Sequence, residues 1–220
     1  MQTTIVRRTN DVDNKCLVRL VRGDKVFIVE GGSPQGVELA ADPFAYAAAN
    51  VLLDNSEHAP VFEVFGTAEF EVAADSIAAA SGKGSVELFS NGTGMRVRLW
   101  RAFPVPAGYT VRVKGSPVYV AFKGLRGMGP GKRKVRAYAE LEAERLNGKG
   151  DLKDLKARYV PSSFIHEARL RKGLSELLTL LEKMKRHIRL ACEAARRGAK
   201  LVRVRVNGRL VDVWVEEVIA

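Results

Sequence analysis

From Cys16 to Gly124 the sequence is cut into short apolar or alternating runs: "CLVRLVR", "KVFIVE", "VFEVF", "AEFEVA", "SVELFS", "MRVRLWR", "YTVRVKG" and "VYVAFKG". Successive side chains on a strand point to opposite faces, so such runs build a sheet with one face buried. Between them stand Gly23-Asp24, Gly66, Gly82, Gly92-Thr93-Gly94, Pro106-Ala107-Gly108 and Ser116-Pro117. These are turn residues and mark the expected strand ends, with Gly23-Asp24 read as a two-residue hairpin. Short strands at this spacing predict one antiparallel, barrel-like β unit over residues 16–125.

One helix interrupts the strands. In "ADPFAYAAANVLLDN", Asp42 has the carboxylate of an N-cap and Pro43 suits the first helical position, where no N–H is needed. The spacing predicts a helix over about residues 43–53, bracketed by Asn50 and Asp54-Asn55. Its alanines let it press closely on a sheet, as a plug for an open barrel end.

Beyond residue 121 the chemistry changes. The net charge is +11, yet residues 1–121 hold 12 Lys and Arg against 13 Asp and Glu. The rest holds 24 against 12, so all the excess positive charge lies there. Such asymmetry marks two modules or a module with a basic arm. "GLRGMGPGKRK" reads as a basic, glycine-rich loop, followed by two short helical candidates, "RAYAELEAERLNG" and "DLKDLKARY". A long helix then runs from a cap at Ser162 or Ser163 to Gly198. Leu174, Leu177, Leu178, Leu181, Met184, Ile188, Ala191 and Ala195 recur on one face of it, with Lys183, Lys185, Arg186, Arg189, Arg196 and Arg197 opposite. "VRVRVNGRLVDVW" ends the pattern as a hairpin on Asn207-Gly208, which sets Arg203 against Asp212 and Val204 against Val211. The reading has three segments: 1–125 a barrel unit, 126–162 a basic loop with short helices, 163–220 an amphipathic helix and hairpin.

Several functions are not supported. No apolar run is long enough for a transmembrane helix, and the N-terminus lacks the apolar core of a secretory signal, so cytoplasm is expected. Cys16 and Cys192 stand far apart and read as buried thiols, and His58, His166 and His187 are too scattered for a metal site. The scarcity of glutamine beside abundant Lys, Arg and Glu is compatible with a thermophilic source. The basic loop fails the phosphate-loop pattern, with Arg126 where a glycine is required and Arg133 where a Ser or Thr would hold magnesium. As an anion cradle its candidate residues are Lys123, Arg126, Lys132 and Arg133, with Lys134 beside them; the bland reading is a solvated linker. Asn91-Gly92-Thr93 reads as a turn. No pair of carboxylates stands out as an acid/base couple, so no catalytic residue is assigned. The basic helix face is either a wet face or a nucleic-acid surface, and without an aromatic stacking platform the wet face is favoured.

"VFIVEGG…GVELAADPFAYAAANVLLDNSEHAPVFEVFGTAEFEV" resembles the family of allophanate hydrolase subunit 2, the C component of prokaryotic 5-oxoprolinase and the carboxyltransferase domain of urea carboxylase. The matching elements are Gly36-Val37, Asp42, "ANVLLDN" from Ala49 to Asn55, Glu63, "VPAGYTVRV" and "VYVAFKG". The resemblance implies a cyclophilin-like antiparallel β-barrel half. The family's Thr-Val-Gln-Asp-Leu-Gly-Arg segment is missing, its Ser-Gly-Ala-Met is here Glu38-Leu39-Ala40-Ala41, and the second barrel half gives way to the basic helical part. The chain therefore reads as a divergent, truncated relative acting as a non-catalytic binding or assembly subunit. The alternatives are an active subunit of an ATP-dependent amide hydrolase or biotin-dependent carboxyltransferase complex, and a nucleic-acid-binding protein. A partner subunit or a second copy is expected, with no membrane and no covalently bound cofactor.

Overall fold

The computed structural model describes residues 15–146, 152–171, 173–206 and 208–215. Eight strands form one antiparallel sheet: β1 (Lys15–Glu30), β2 (Val61–Val72), β3 (Ser76–Ser90), β4 (Thr93–Val97), β5 (Arg101–Val105), β6 (Thr110–Phe122), β7 (Gly131–Lys134) and β8 (Glu140–Glu144). The order is β4-β3-β6-β2-β1-β7, with β5 also on β3 and β8 also on β1. The antiparallel β architecture and the C-terminal hairpin are as the sequence predicts, whereas the helices after the sheet differ from the expected ones. The sheet curls but stays open, since no ladder joins β4 to β7. One face buries Val18, Leu20, Ile28, Phe62, Phe70, Ala80, Val86, Val111, Val120 and Phe122 together. No helix residue belongs to that core, so the sheet covers itself by curling.

The strands are longer than the sequence suggests. Gly23-Asp24 is no hairpin: β1 continues through it and pairs with β2 on both sides, with register shifts at Leu20/Arg22 and Gly23/Lys25. The Asp24 carboxylate instead accepts hydrogen bonds from the Thr67 N–H at 2.8 Å and the Thr67 hydroxyl at 2.9 Å. Gly66, Gly82, Gly84 and Gly115 likewise lie inside β2, β3 and β6, at further register shifts. Glycines are bulge residues here, bending strands that remain paired. At Gly84 and Gly115 the strands approach so closely that a Cβ on Gly84 would lie 2.1 Å from the Lys114 carbonyl oxygen. Gly84→Ala is therefore expected to cost at least ~2 kcal/mol in urea unfolding, more than Ala at an open strand position. A loss no larger than that of Gly94→Ala, where the nearest atom is 3.5 Å away, would show that the bend yields.

Helix α1 (Pro43–Val51) forms where its cap predicts, with the Asp42 carboxylate accepting from the Ala45 N–H at 3.0 Å. It is a middle layer and not an end plug. Ile77, Ala79, Tyr119 and Ala121, on the outward face of β3 and β6, bury one side of it. Its other side is covered by α3 (Leu174–Arg196) through Leu180, Leu181, Met184, Ile188, Ala191 and Cys192. The expected long helix is thus two: α2 (Ser162–Leu170) ends where Arg171 turns extended, and Gly173 starts α3. No side chain caps α2, so neither serine has the expected role. Gly198, at φ +91°, ends α3 as predicted.

The two shorter helical expectations also change. "ELEAE" is β8, whose alternation buries Leu141 and Ala143 while Glu140 and Glu142 pair outward with Arg19 and Lys15. "DLKDLKARY" keeps only a 3-10 turn, Leu155–Ala157. The last four residues of the presumed basic linker, Gly131–Lys134, are β7, paired with Phe27–Glu30. Strands β9 (Lys200–Val206) and β10 (Arg209–Val215) form the predicted hairpin, with Arg203 opposite Asp212 and Val204 opposite Val211. Asn207 lies outside the described residues.

An ion cluster clasps α3 to the end of α1. Buried Arg158 reaches Asp54 at 2.5 Å, Asp154 at 3.0 Å and the Leu52 carbonyl at 3.2 Å, while Arg196 of α3 also pairs with Asp154. Burial alone would raise the Asp154 carboxyl; the two arginines prevail and hold it below its ordinary value of 3.8. A carboxyl lowered in the fold contributes stability that is complete above its unfolded value and lost as pH falls through the folded one. Stability should thus drop below about pH 4 by less in Asp154→Asn than in the unaltered chain. Parallel pH curves for the two would remove the clasp from the account.

Candidate functional site

On the outward face of the sheet, three polar side chains line up across neighbouring strands. Ser81 of β3 is opposite Tyr119 of β6, which is opposite Glu63 of β2. Each is flanked by residues turned into the inner core, such as Phe62 and Val64 beside Glu63. The alternation of these strands therefore places all three under the entry to α1. The Ser81 hydroxyl donates to the Ala45 carbonyl at 2.5 Å. The Tyr119 hydroxyl accepts from the Asp42 N–H at 2.7 Å and donates to Glu63 Oε1 at 2.8 Å. Glu63 Oε1 also accepts from the Ala41 N–H at 2.8 Å.

Glu63 is fully buried, and its second oxygen is paired with Lys132, whose side chain is 29% exposed. That lysine comes from β7, where Val29 of β1 pairs with it, and its ammonium lies 5.1 Å from the Phe27 ring centre. Oε1 thus accepts two hydrogen bonds, while Oε2 accepts none and has Lys132 as its ion-pair partner. Burial first, and the Glu63 charge second, push the Tyr119 phenol well above its ordinary range, so it stays a neutral donor. To take a proton from a ligand, Glu63 would have to release Tyr119, Ala41 or Lys132. In its present form the array pins the chain that enters α1.

A second set of polar contacts closes the other end of α1. Asn50 is buried and donates to the Ala59 carbonyl at 2.8 Å, and the Tyr46 hydroxyl donates to the same oxygen at 2.8 Å. Asn55 donates to the Phe122 carbonyl at 3.0 Å and accepts from the Gly124 N–H at 3.0 Å. Asp42, Asn50, Asn55 and Glu63, the polar positions of the motif read in the sequence, thus all meet α1 or its flanks.

The four candidate anion residues go to four surroundings. Lys132 is in the Glu63 array. Arg133 folds back to donate to the Gly129 and Pro130 carbonyls of its own loop. Arg126 pairs with Glu142 at 3.2 Å. Lys123 lines a small cavity beside Asp54, Asp154, Arg158 and Arg196. Part of the basic helix face is also paired, with Lys185 bound to Glu57 at 2.9 Å and to Glu182 at 3.1 Å. Among the described residues, no three His, Cys, Asp or Glu side chains gather as metal ligands. Cys16 and Cys192 are free and buried, and burial pushes the Cys192 thiol up to about 11. No helix among the described residues is long and apolar enough to cross a membrane. Sequence reasoning missed Ser81 and Tyr119. Their signal was a hydroxyl inside a run otherwise apolar, as in "VYVAF".

Residues 36–128 match the family model of the carboxyltransferase domain, subdomains A and B. The match spans α1, β2 to β6 and the Ser81, Tyr119 and Glu63 row, and it is the family whose motifs the sequence resembles. No curated protein matches the chain. Among solved structures, the protein TTHA0988 is similar at 24% identity and a TM-score of 0.49 over 60% of this chain. The urea amidolyase and urea carboxylase of Kluyveromyces lactis are similar at 15% and 17% identity, with TM-scores of 0.49 and 0.47 over 63% and 62% of it. The chain spans 58%, 10% and 14% of these three proteins respectively.

Proposed function

We propose that this carboxyltransferase-like chain is a non-catalytic binding or assembly subunit, a divergent relative of allophanate hydrolase subunit 2 and of the C component of prokaryotic 5-oxoprolinase. The observation that carries this reading is the Glu63 array. The one buried carboxylate that strand alternation turns toward α1 is engaged by Tyr119, the Ala41 N–H and Lys132, and it serves the backbone. The covered stripe of α3 supports the packing role of the helical part over a nucleic-acid role, because α1 occupies its apolar face.

Assembly has a surface to use. Among the described residues strand β4 pairs only with β3, whereas the far edge of β5 is bonded to residues 158–160. Beside the open β4 edge, Met95 is 60% exposed over an apolar groove floored by Leu88, Phe103 and Leu155. Arg96, Arg98, Arg101 and Lys156 surround the groove, and no carboxylate lines it among the described residues. The partner that fits is a protein presenting an acidic, apolar-anchored strand to β4. The test is sedimentation of the chain with candidate partners drawn from amide-hydrolase or carboxylase complexes. A complex that Met95→Asp with Arg98→Glu dissolves supports the reading. No complex with any of them, nor self-association, would defeat it.

A further inference from the structure

A cavity of about 470 Å³ opens beside the N-terminus of α1, between the sheet and α2. Its floor is aromatic: Phe44 and Trp100 stack with ring centres 5.9 Å apart and planes tilted by 30°. The Trp100 backbone is anchored on both sides: its amide N–H donates to the Ala80 carbonyl at 2.6 Å and its carbonyl accepts from the Val160 N–H at 2.8 Å. Ile165 and Ala168 of α2 form an apolar wall. At the rim stand two exposed cations, Lys83 and Arg169, and among the described residues neither has an ion pair. Among the described residues the single acid of the lining is Asp42, which already accepts the Ala45 N–H as the helix cap.

From this geometry we infer that the cavity is a binding site for a small, flat organic monoanion, a planar carboxylate whose ring lies on Phe44 and Trp100. Pockets of this size hold drug-sized or smaller ligands, and a few convergent polar groups set their orientation. Two unpaired cations against one committed carboxylate leave one net positive charge, which selects a monoanion over a neutral ligand or a cation. A flat body gains from stacking on the aromatic floor, and an arginine fork at the rim suits a carboxylate. The site adjoins the Glu63 array through Asp42, whose N–H donates to Tyr119. Its rim cations Lys83 and Arg169 take no part in that array, and its lining shares no residue with the β4 edge. The inference therefore stands or falls independently of the assembly reading.

The test uses the full chain and fluorine NMR with two probes of one shape, 4-fluorobenzoate and 4-fluorobenzamide. Saturable binding of the benzoate, with the amide at least about tenfold weaker, is the expected result. Lys83→Ala and Arg169→Ala, both exposed changes, should each weaken the benzoate about tenfold. Lys114→Ala, an exposed lysine outside this cavity, should leave it unchanged. Equal binding of both probes, equal loss in Lys114→Ala, or no saturable binding of the benzoate up to millimolar concentration would each overturn the proposal.

Discussion

Glu63→Ala should unfold at a urea concentration well below that of the unaltered chain, with a loss of about 3 kcal/mol or more. The change takes the acceptor from three groups at once: the buried Tyr119 hydroxyl, the N–H of Ala41, an exposed residue, and the Lys132 ammonium. Each buried donor left without an acceptor costs about 1–3 kcal/mol, and Lys132 recovers part of its share because it reaches solvent. Thermal unfolding should fall by roughly 6–12 °C. Glu63→Gln separates the parts of this effect. Its amide oxygen still accepts from Tyr119 and Ala41, so only the lysine pairing is lost and the cost should stay near 1 kcal/mol. Similar losses for both variants would mean that the charge, and not the pinning of α1, dominates the array.

The second large effect is expected at the α1–α3 contact. Leu181 is 1% exposed in the apolar layer that α3 lays on α1. Leu181→Asp places a carboxylate there with no partner, and its cost should exceed about 4 kcal/mol, enough to lift α3 from α1. Limited proteolysis would then cut between α2 and α3, while the self-covered β core keeps its far-ultraviolet signal. Arg186→Glu, on the exposed face of the same helix, should change stability by no more than about 0.5 kcal/mol. A large loss in Arg186→Glu with little in Leu181→Asp would reverse the assignment of faces.

These two sites differ in how far the sequence announced them. The α3 stripe was legible in the main because helical periodicity is local: Leu181, Met184, Ile188 and Ala191 are buried as expected, Leu180 and Cys192 join them, and Leu174, Leu177, Leu178 and Ala195 are only half-buried. The Asp42-Pro43 start of α1 and the register of the last hairpin were legible for the same reason, since cap and turn chemistry act over three or four residues. The long strands were not, because a glycine serves a turn and a bulge equally well. What separates the two is whether Gly23 lies against Ala68 or at a chain reversal, which only β2 decides. "ELEAE" satisfies helix propensity and strand alternation together, and pairing with Lys15–Arg19 settled it. The Ser81, Tyr119 and Glu63 row depends on the register of three strands that are distant in sequence, so no local pattern could assemble it. The basic residues were counted correctly as charges. Their partners Glu57, Glu63, Glu142 and Asp154 come from elsewhere in the fold, which divides the expected anion cluster among unrelated contacts.

The most direct measurement is turnover in a complex reconstituted with candidate partner proteins, on 5-oxoproline and on urea-type amides with ATP. The comparison is between the unaltered chain, Tyr119→Phe and Lys132→Ala, with sedimentation confirming that each assembles. The account predicts complexes of unchanged composition whose turnover differs by less than about threefold, because the array supports structure and touches no reacting atom. A loss of about a hundredfold or more in either variant, with the complex intact, is the signature of a general acid or base and would contradict it.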